Sequence, residues 1–159
     1  MEKKVIFASI IQVLEQEAAV LTTAAHTSFA DATDEESRAE SKYDTRSLET
    51  SYLASGQARM AVEAQTALTR FKNLPIQIFG PDAAIALSAL VEVKTERDSC
   101  YYFLGPSSGG TEVSYEGKTV MVVTPESPVG KALLGKKMGD AFSVSIGRNQ
   151  EHFTIVRVI

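Results

Sequence analysis

Proline divides this chain into two parts with different patterns. The residues before Pro75 contain no proline, and all five prolines occur from Pro75 onward. Because proline removes a backbone donor and interrupts helices, a long proline-free stretch permits long helices. The part after Pro75 alternates in short runs separated by glycine and proline, which is typical of strands. The sequence therefore predicts two domains, a helical one over residues 1–75 and a β-rich one over residues 76–159.

Apolar and small side chains recur every three or four residues in the first domain, as they do on one face of a helix. We expect one helix from about Lys3 to about Ala30 and a second that ends near Asn73, before Leu74 and Pro75. At about 1.5 Å per residue, each helix is roughly 40–55 Å long. Because the predicted connection is short, an antiparallel two-helix coiled coil is the simplest arrangement.

The predicted connection between the two helices is rich in carboxylates. Six acidic residues and two basic ones lie between Asp31 and Asp44. Thr33 followed by Glu36 resembles a capping box, and acidic side chains suit the positive end of a helix dipole. Oxygen ligands of this kind are also those that magnesium prefers. Helix capping and metal binding are therefore both open for these carboxylates.

The second domain contains several short runs with β-type alternation. Glu116 and Gly117 separate two of these runs and indicate a tight hairpin. Ser127 and Pro128 are typical of the cap and first residue of a helix, which we expect to end at Leu134. The sequence thus predicts an α+β fold, with a helical hairpin followed by a small, mostly antiparallel sheet that carries one short helix. The predicted strands are Leu90–Val93, Cys100–Leu104, Thr111–Tyr115, Lys118–Thr124, Ala141–Ile146 and His152–Val158.

Charge and cysteine content argue against several classes of protein. The net charge is −4, and neither domain is basic, so tight autonomous binding to nucleic acid is not expected. The single cysteine, Cys100, cannot form an intrachain disulfide, which favours the cytoplasm. No apolar run reaches the roughly 18 residues that span a membrane. Gln12, Glu15 and Glu17 interrupt the only segment that resembles a secretion signal.

The sequence shows no catalytic pattern. It lacks a Ser/His/Asp arrangement and a phosphate-binding glycine loop. His26 and His152 lie far apart, without cysteines or carboxylates at zinc-binding spacing. A protein partner is therefore favoured over a small-molecule substrate.

Three dipeptides near the carboxyl end carry a resemblance to a known family. Ser127-Pro128, Gly135-Lys136 and Gly139-Asp140 occur in the order and approximate spacing found in the Gre family of bacterial transcription elongation factors. The segment 39–43, Ala-Glu-Ser-Lys-Tyr, is similar to the Glu-Asn-Ala-Glu-Tyr region of that family. Tyr52 and Gly56 also fall where the family has an aromatic residue and a glycine. The resemblance covers essentially the whole chain.

This resemblance implies a fold and a partner. The second domain is expected to have an FKBP-like sheet and to dock at the rim of the secondary channel of RNA polymerase. The docking residues that it implies are Ser127, Pro128, Lys131, Gly135 and Lys136. The coiled coil is expected to enter the channel, so the chain would contact nucleic acid only through the polymerase.

The resemblance also implies a mechanism. Two carboxylates at the tip of the hairpin would help to hold a second magnesium in the polymerase active site, and the polymerase would then cleave the 3′ end of a backtracked transcript. A pair of metal ions can stabilise the attacking and leaving oxygens of such a reaction. The chain would have no active site and no cofactor of its own beyond this shared magnesium.

The tip departs from the pattern of cleavage-active members, which carry Asp-x-x-Glu. Aligning through Tyr43 and Tyr52 without a gap places Glu36 and Ala39 at the paired positions. A gap of one residue places Glu40 at the second position. Glu36 and Glu40 are therefore the first candidates for the magnesium ligands.

Two further tip acids are weaker candidates. Asp31 and Asp34 have the required spacing, but both are aspartates. They follow Glu36 and Glu40 in order of preference.

Two alternatives to cleavage stimulation remain open. The chain could occupy the channel and regulate the polymerase without promoting cleavage. It could instead be a coiled-coil interaction module or chaperone that uses the hairpin as a clamp, which predicts exposed apolar surface on the helices.

Overall fold

The structure is a computed structural model that describes residues 1–33, 45–96, 98–146 and 149–159; of residues 45–47, 146 and 149 only the backbone is described. The helices are α1 (Lys3–Thr33), α2 (Thr45–Lys72) and α3 (Pro128–Leu133). The strands are β1 (Leu90–Lys94), β2 (Ser99–Leu104), β3 (Glu112–Tyr115), β4 (Lys118–Val123), β5 (Ala141–Ile146) and β6 (Asn149–Val158).

The chain forms two compact units. One comprises Met1–Ile11 together with Arg70–Ile159, and the other comprises Gln12–Thr69. We refer to them as the sheet unit and the hairpin unit. The predicted domain division at Pro75 stays a prediction.

The hairpin unit contains most of α1 and α2, which form the predicted helical hairpin. Leu14 and Ala18 of α1 are buried, as are Ala54 and Leu68 of α2. A spacing of four residues keeps Leu14 and Ala18 on one side of their helix. The two alanines bury little apolar area, so this interior contributes less per residue than one of leucines would.

The first helix extends beyond its predicted end. We expected a turn from Asp31, but α1 continues to Thr33. The Thr33 hydroxyl donates to the carbonyl oxygens of Phe29 and Ala30, at 2.9 and 3.1 Å. The Thr33 hydroxyl thus bonds back into α1, because a threonine hydroxyl within a helix can reach the carbonyl four residues earlier. The capping box predicted from Thr33 and Glu36 stays a prediction, because Glu36 lies outside the described residues.

By length and composition alone, α1 meets the criterion for a membrane-spanning helix, which our sequence analysis did not anticipate. This is weak evidence, because a core helix of a soluble protein or a signal sequence near the amino terminus satisfies the same criterion.

The sheet unit contains six strands in the order β3-β4-β2-β1-β6-β5. Among the strands that the structure describes, four neighbouring pairs are antiparallel, and the pair formed by β2 and β4 is parallel. The sheet is thus mostly antiparallel, as predicted. β3 and β4 meet at Glu116 and Gly117, which both have positive φ, at 51° and 75°. This is the backbone geometry that a two-residue hairpin requires.

The last strand is longer than predicted. We expected it to begin at His152, but β6 begins at Asn149. The reason is that every residue of β5 pairs with β6, from Ala141↔Thr154 to Ile146↔Asn149. Inside the sheet unit, the rings of Phe142 and Phe153 stack with their centroids 5.0 Å apart.

The sheet unit also holds the first turns of α1 and the end of α2. Phe7, Phe71 and Phe103 form an aromatic cluster whose ring centroids lie 5.8–6.3 Å apart. Gly105 lies directly against this cluster: a Cβ atom there would be 2.6 Å from Phe71 Cζ. Such contacts bury large apolar surfaces and fix both helix ends against β2.

Lys3 is a buried cation in the same unit. Its Nζ donates to the carbonyl oxygens of Gln77 and Ile159, the second at 2.7 Å, and lies 4.7 Å from the centroid of the Phe79 ring. Only 8% of the residue is exposed. Burial lowers the pKa of Lys3 to about 8, because removal from water disfavours the charged ammonium relative to the neutral amine.

Candidate functional site

The short helix α3 begins as the sequence predicts. Ser127 has an extended backbone, and its Oγ accepts a hydrogen bond from the Gly130 amide at 3.1 Å. The same hydroxyl donates to the Thr124 carbonyl oxygen at 2.8 Å. Pro128 occupies the first helical position, where its missing amide hydrogen has no cost. Ser127 therefore caps α3 and also ties it to the end of β4.

Gly130 is a required residue of this helix that our sequence analysis missed. A Cβ atom at Gly130 would lie 1.9 Å from the Thr124 carbonyl oxygen. Any larger side chain would push the start of α3 away from Thr124, to which the Ser127 hydroxyl is hydrogen-bonded. A glycine inside a short helix is unfavourable by itself, and this was the signal that could have revealed the close contact.

The Gly135-Lys136 dipeptide pairs with a distant part of the chain. Gly135 has a φ of +79°, which glycine adopts without strain. Its amide donates to the Ile85 carbonyl oxygen at 2.8 Å, and the Ile85 amide donates to the Lys136 carbonyl oxygen at 2.7 Å. Because Ile85 is buried, these two bonds anchor the end of α3 to the core.

The Gly139-Asp140 dipeptide closes a turn. The Asp140 carboxylate accepts a hydrogen bond from the Lys137 amide at 2.8 Å, and the Asp140 amide donates to the Lys137 carbonyl oxygen at 3.1 Å. The Gly139 amide donates to Ile155 of β6 at 2.8 Å. Asp140 therefore holds the loop that carries Lys136, Lys137 and Met138, a role that we did not predict.

All five predicted docking residues lie in the segment that contains α3 and the residues directly around it, and their role in docking stays a prediction. Pro128, Lys131 and Gly135 are exposed, whereas Ser127 and Lys136 are half-buried. Ser127 and Pro128 also line an open cavity of about 650 Å³. Its other walls include the buried side chains of Val122, Val123 and Val144. A cavity with apolar walls and a polar rim is a typical site for a side chain of a partner protein.

The predicted tip carboxylates fall mostly outside the described residues. Asp31 is exposed in the last turn of α1, whereas Asp34, Glu36 and Glu40 lie outside the described ranges. Within the described ranges, no group of three or more His, Cys, Asp or Glu residues could hold a metal ion. The assignment of the tip acids therefore stays a prediction.

Residues 81–159 match the family described as "Transcription elongation factor, GreA/GreB, C-term". The chain belongs to the GreA/GreB family. The matched range contains α3, the Gly135-Lys136 pair and the Asp140 turn. The hairpin tip lies outside the matched range, so the tip carboxylates do not contribute to the family assignment.

Several solved structures resemble this member of the GreA/GreB family. Gfh1 of Thermus aquaticus shares 22% identity over 94% of this chain and 90% of its own, with a TM-score of 0.39. The GreA factor homolog 1 (Gfh1) protein of Thermus thermophilus shares 21% identity over 96% and 94%, with a TM-score of 0.39. A GreA/GreB factor from Nitrosomonas europaea shares 20% identity over 74% and 94%, with a TM-score of 0.37. Because these TM-scores are low, we base the family assignment on the match over residues 81–159.

Proposed function

We propose that this chain binds bacterial RNA polymerase in the cytoplasm, docks through the segment around α3 and inserts its helical hairpin into the secondary channel. The observation that carries this proposal is the match of residues 81–159 to the GreA/GreB family, together with the ordered surface that its motif residues form. Ser127 and Gly130 fix the start of α3, and Asp140 fixes the loop after it. Such preorganisation reduces the entropy that docking costs.

In this proposal the hairpin supplies carboxylates and the polymerase performs the chemistry. Glu36 and Glu40, with Asp34 and Asp31 as the weaker candidates, would share a magnesium ion with the polymerase active site. Magnesium is commonly bound by one or two carboxylates with further ligands from the substrate. The polymerase would then cleave a backtracked transcript, and the chain would not be an enzyme itself.

Binding is tested with core RNA polymerase and the full-length chain. We expect a complex at micromolar concentration and weaker binding of Pro128→Glu, which places a charge at the mouth of the cavity beside α3. Asp82→Asn serves as the control, because Asp82 is exposed in the same unit and the proposal gives it no role. No complex at micromolar concentration would refute the proposed function.

Cleavage stimulation is tested on stalled elongation complexes. We expect the wild-type chain to accelerate release of the 3′ fragment and Glu36→Ala or Glu40→Ala to reduce that rate. Glu17→Ala is the matched control, because Glu17 is an exposed glutamate of α1 away from the tip. If the wild-type chain binds but leaves cleavage unchanged, it is a channel-occupying regulator. If it stimulates cleavage equally with and without Glu36 and Glu40, our assignment of the ligands is wrong.

A second candidate function is a coiled-coil clamp with chaperone activity. The hairpin unit exposes several large apolar side chains, including Val20 (67%), Phe29 (65%) and Tyr52 (75%). Exposed apolar surface is what a clamp for unfolded proteins requires. Suppression of thermal aggregation of citrate synthase by the chain, without polymerase present, would support this function. Loss of that protection in Phe29→Ser would place it on the hairpin.

A further inference from the structure

Strands β5 and β6 direct alternate side chains to the two faces of the sheet. On one face, Phe142, Phe153 and Ile155 are buried in the core. On the other face, Ser143 and His152 are exposed, because successive side chains of a strand point to opposite sides. This second face therefore presents polar groups to the solvent.

Ser143 and His152 form a hydrogen-bonded pair on this face. They lie directly opposite each other in the register of β5 and β6, and the Ser143 Oγ lies 2.7 Å from the His152 Nδ1. If the serine donates, the imidazole carries its hydrogen on Nε2; if Nδ1 donates, the hydrogen of the serine hydroxyl is available. In either tautomer the pair keeps a donor that a ligand can use.

Lys94 and Thr154 extend the same face towards β1. Thr154 follows His152 by two residues, which places both on one side of β6, and Lys94 of β1 pairs with Thr154. From the usual strand spacing and rise, the Cα atoms of Lys94, Ser143, His152 and Thr154 lie within about 12 Å of one another. Ala141 pairs with Thr154 from the other side, and its small side chain leaves room beside these polar groups.

These five residues line one open cavity of about 480 Å³, which we call the β5–β6 cavity. Its volume is in the range of sites for small molecules. Val156 also lines it and is 40% exposed. Because the register with β1 shifts between Glu92 and Val93, Val156 is the extra residue of a bulge. Bulges redirect side chains and are frequent beside functional sites.

The chemistry of the lining suits an anion with an organic group. An ammonium, a hydroxyl and an imidazole are all donors to phosphate oxygens, and hydrogen bonds from charged donors are the stronger ones. Ala141 and Val156 add apolar surface next to these donors. Glu96 lines the cavity as well, and its carboxylate repels an anion and so limits the affinity.

We propose that the β5–β6 cavity binds the phosphate group of a small phosphate monoester. Lys94 and the Ser143–His152 pair donate to the phosphate oxygens, and Val156 contacts the organic part of the ligand. The site shares no residue with the predicted docking segment around α3, so this proposal does not depend on polymerase binding.

The first arm of the test measures ligand binding by the ¹⁵N-labelled full-length chain. Phenyl phosphate is the probe, and benzylamine, a cation of similar size, is the control ligand. We expect a Kd on the order of 1 mM for phenyl phosphate, weaker binding of inorganic phosphate, and amide shifts confined to residues 94–96, 141–143 and 152–156. No shifts at ten times that concentration, shifts elsewhere, or equal binding of benzylamine would overturn the proposal.

The second arm compares matched variants. K94Q and S143A should each weaken binding of phenyl phosphate about three- to fivefold, because each removes a donor. The controls K4Q and S145A change an exposed lysine of α1 and an exposed serine of β5, and both should bind like the wild type. S143T keeps the hydroxyl and should also bind like the wild type. Equal losses in the controls, or full binding by both K94Q and S143A, would overturn the proposal.

Glu96 provides a test of opposite sign. E96Q removes the repelling carboxylate and should tighten binding of phenyl phosphate about threefold. Unchanged or weaker binding by E96Q would overturn the proposal, because the carboxylate would then not oppose the ligand. The melting temperature of each variant is measured as well. If S143A is unfolded, the comparison of K94Q with K4Q decides the outcome.

Discussion

Replacing Gly130 with alanine should destabilise the sheet unit strongly, although alanine is the better helix former. The added Cβ atom would lie 1.9 Å from the Thr124 carbonyl oxygen, and real Cβ atoms essentially never come closer than 3.0 Å to such an atom. The start of α3 must therefore move by at least 1.1 Å, the difference between these two distances. That movement stretches the hydrogen bond between the Ser127 hydroxyl and the Gly130 amide, which is 3.1 Å long.

The expected cost combines three contributions. Overpacking a close contact of this kind costs about 3 kcal/mol, and loss of a serine cap costs about 1 kcal/mol. The better helix propensity of alanine returns about 1 kcal/mol. We therefore expect the free energy of unfolding to fall by about 3 kcal/mol, which corresponds to a decrease in Tm of roughly 6–12 °C for a protein of this size.

The assay is urea denaturation followed by far-UV circular dichroism, with amide hydrogen exchange at residues 127–134 to locate the change. Gly56→Ala is the matched control, because Gly56 lies within α2 and nothing lies within 4 Å of a Cβ atom there. That control should be stabilised by about 0.5–1 kcal/mol. A stability of Gly130→Ala within about 0.5 kcal/mol of wild type, with exchange at α3 unchanged, would refute the reasoning.

Three further predictions concern contacts in the same unit. The pKa of Lys3 is lowered from 10.5 to about 8, so between these pH values the unfolded chain binds more protons than the folded chain. The free energy of unfolding should therefore rise with pH across this window and be flat below it. Lys3→Met should abolish this rise when urea midpoints are compared at pH 7.5 and pH 9.5. Gly105→Ala should lower the free energy of unfolding by about 2 kcal/mol, because its Cβ would lie 2.6 Å from Phe71 Cζ, and an unchanged Tm would contradict this. Asp140→Ala should cost about 1 kcal/mol and speed hydrogen exchange at the Lys137 amide, because that amide loses its acceptor; Asp82→Ala should leave both unchanged.

Local patterns predicted the elements whose causes are local. The four-residue spacing of apolar side chains indicated α1, and the Glu116-Gly117 pair indicated the β3–β4 hairpin, because a few neighbouring residues determine both structures. Ser127 and Pro128 marked the start of α3 for the same reason.

Features that depend on how separate parts of the chain pack or pair were not predictable from these patterns. Gly130 looks unfavourable in a helix until Thr124 is seen to pack against it. The start of β6 at Asn149 follows from its pairing with β5. Lys3 resembles an ordinary surface lysine near the amino terminus, yet its acceptors lie 74 and 156 residues away along the chain.

At the candidate site, the sequence identified the docking segment but not what holds it. Ser127, Pro128, Gly135 and Lys136 were found because they form short motifs. Asp140 was noticed as part of a motif, but its bond to the Lys137 amide depends on how the loop folds. The tip acids Glu36 and Glu40 stay predictions.

The contacts of Lys3 and Phe7 have a consequence for how fast the native structure forms. Lys3 donates to the carbonyl oxygen of Ile159, 156 residues away along the chain. The Phe7 ring packs against Phe103 of β2, with the ring centroids 5.8 Å apart. Contacts of such long sequence separation slow folding, because closing a long loop costs entropy before the contact forms. The first turns of α1 should therefore gain protection from amide hydrogen exchange late in refolding.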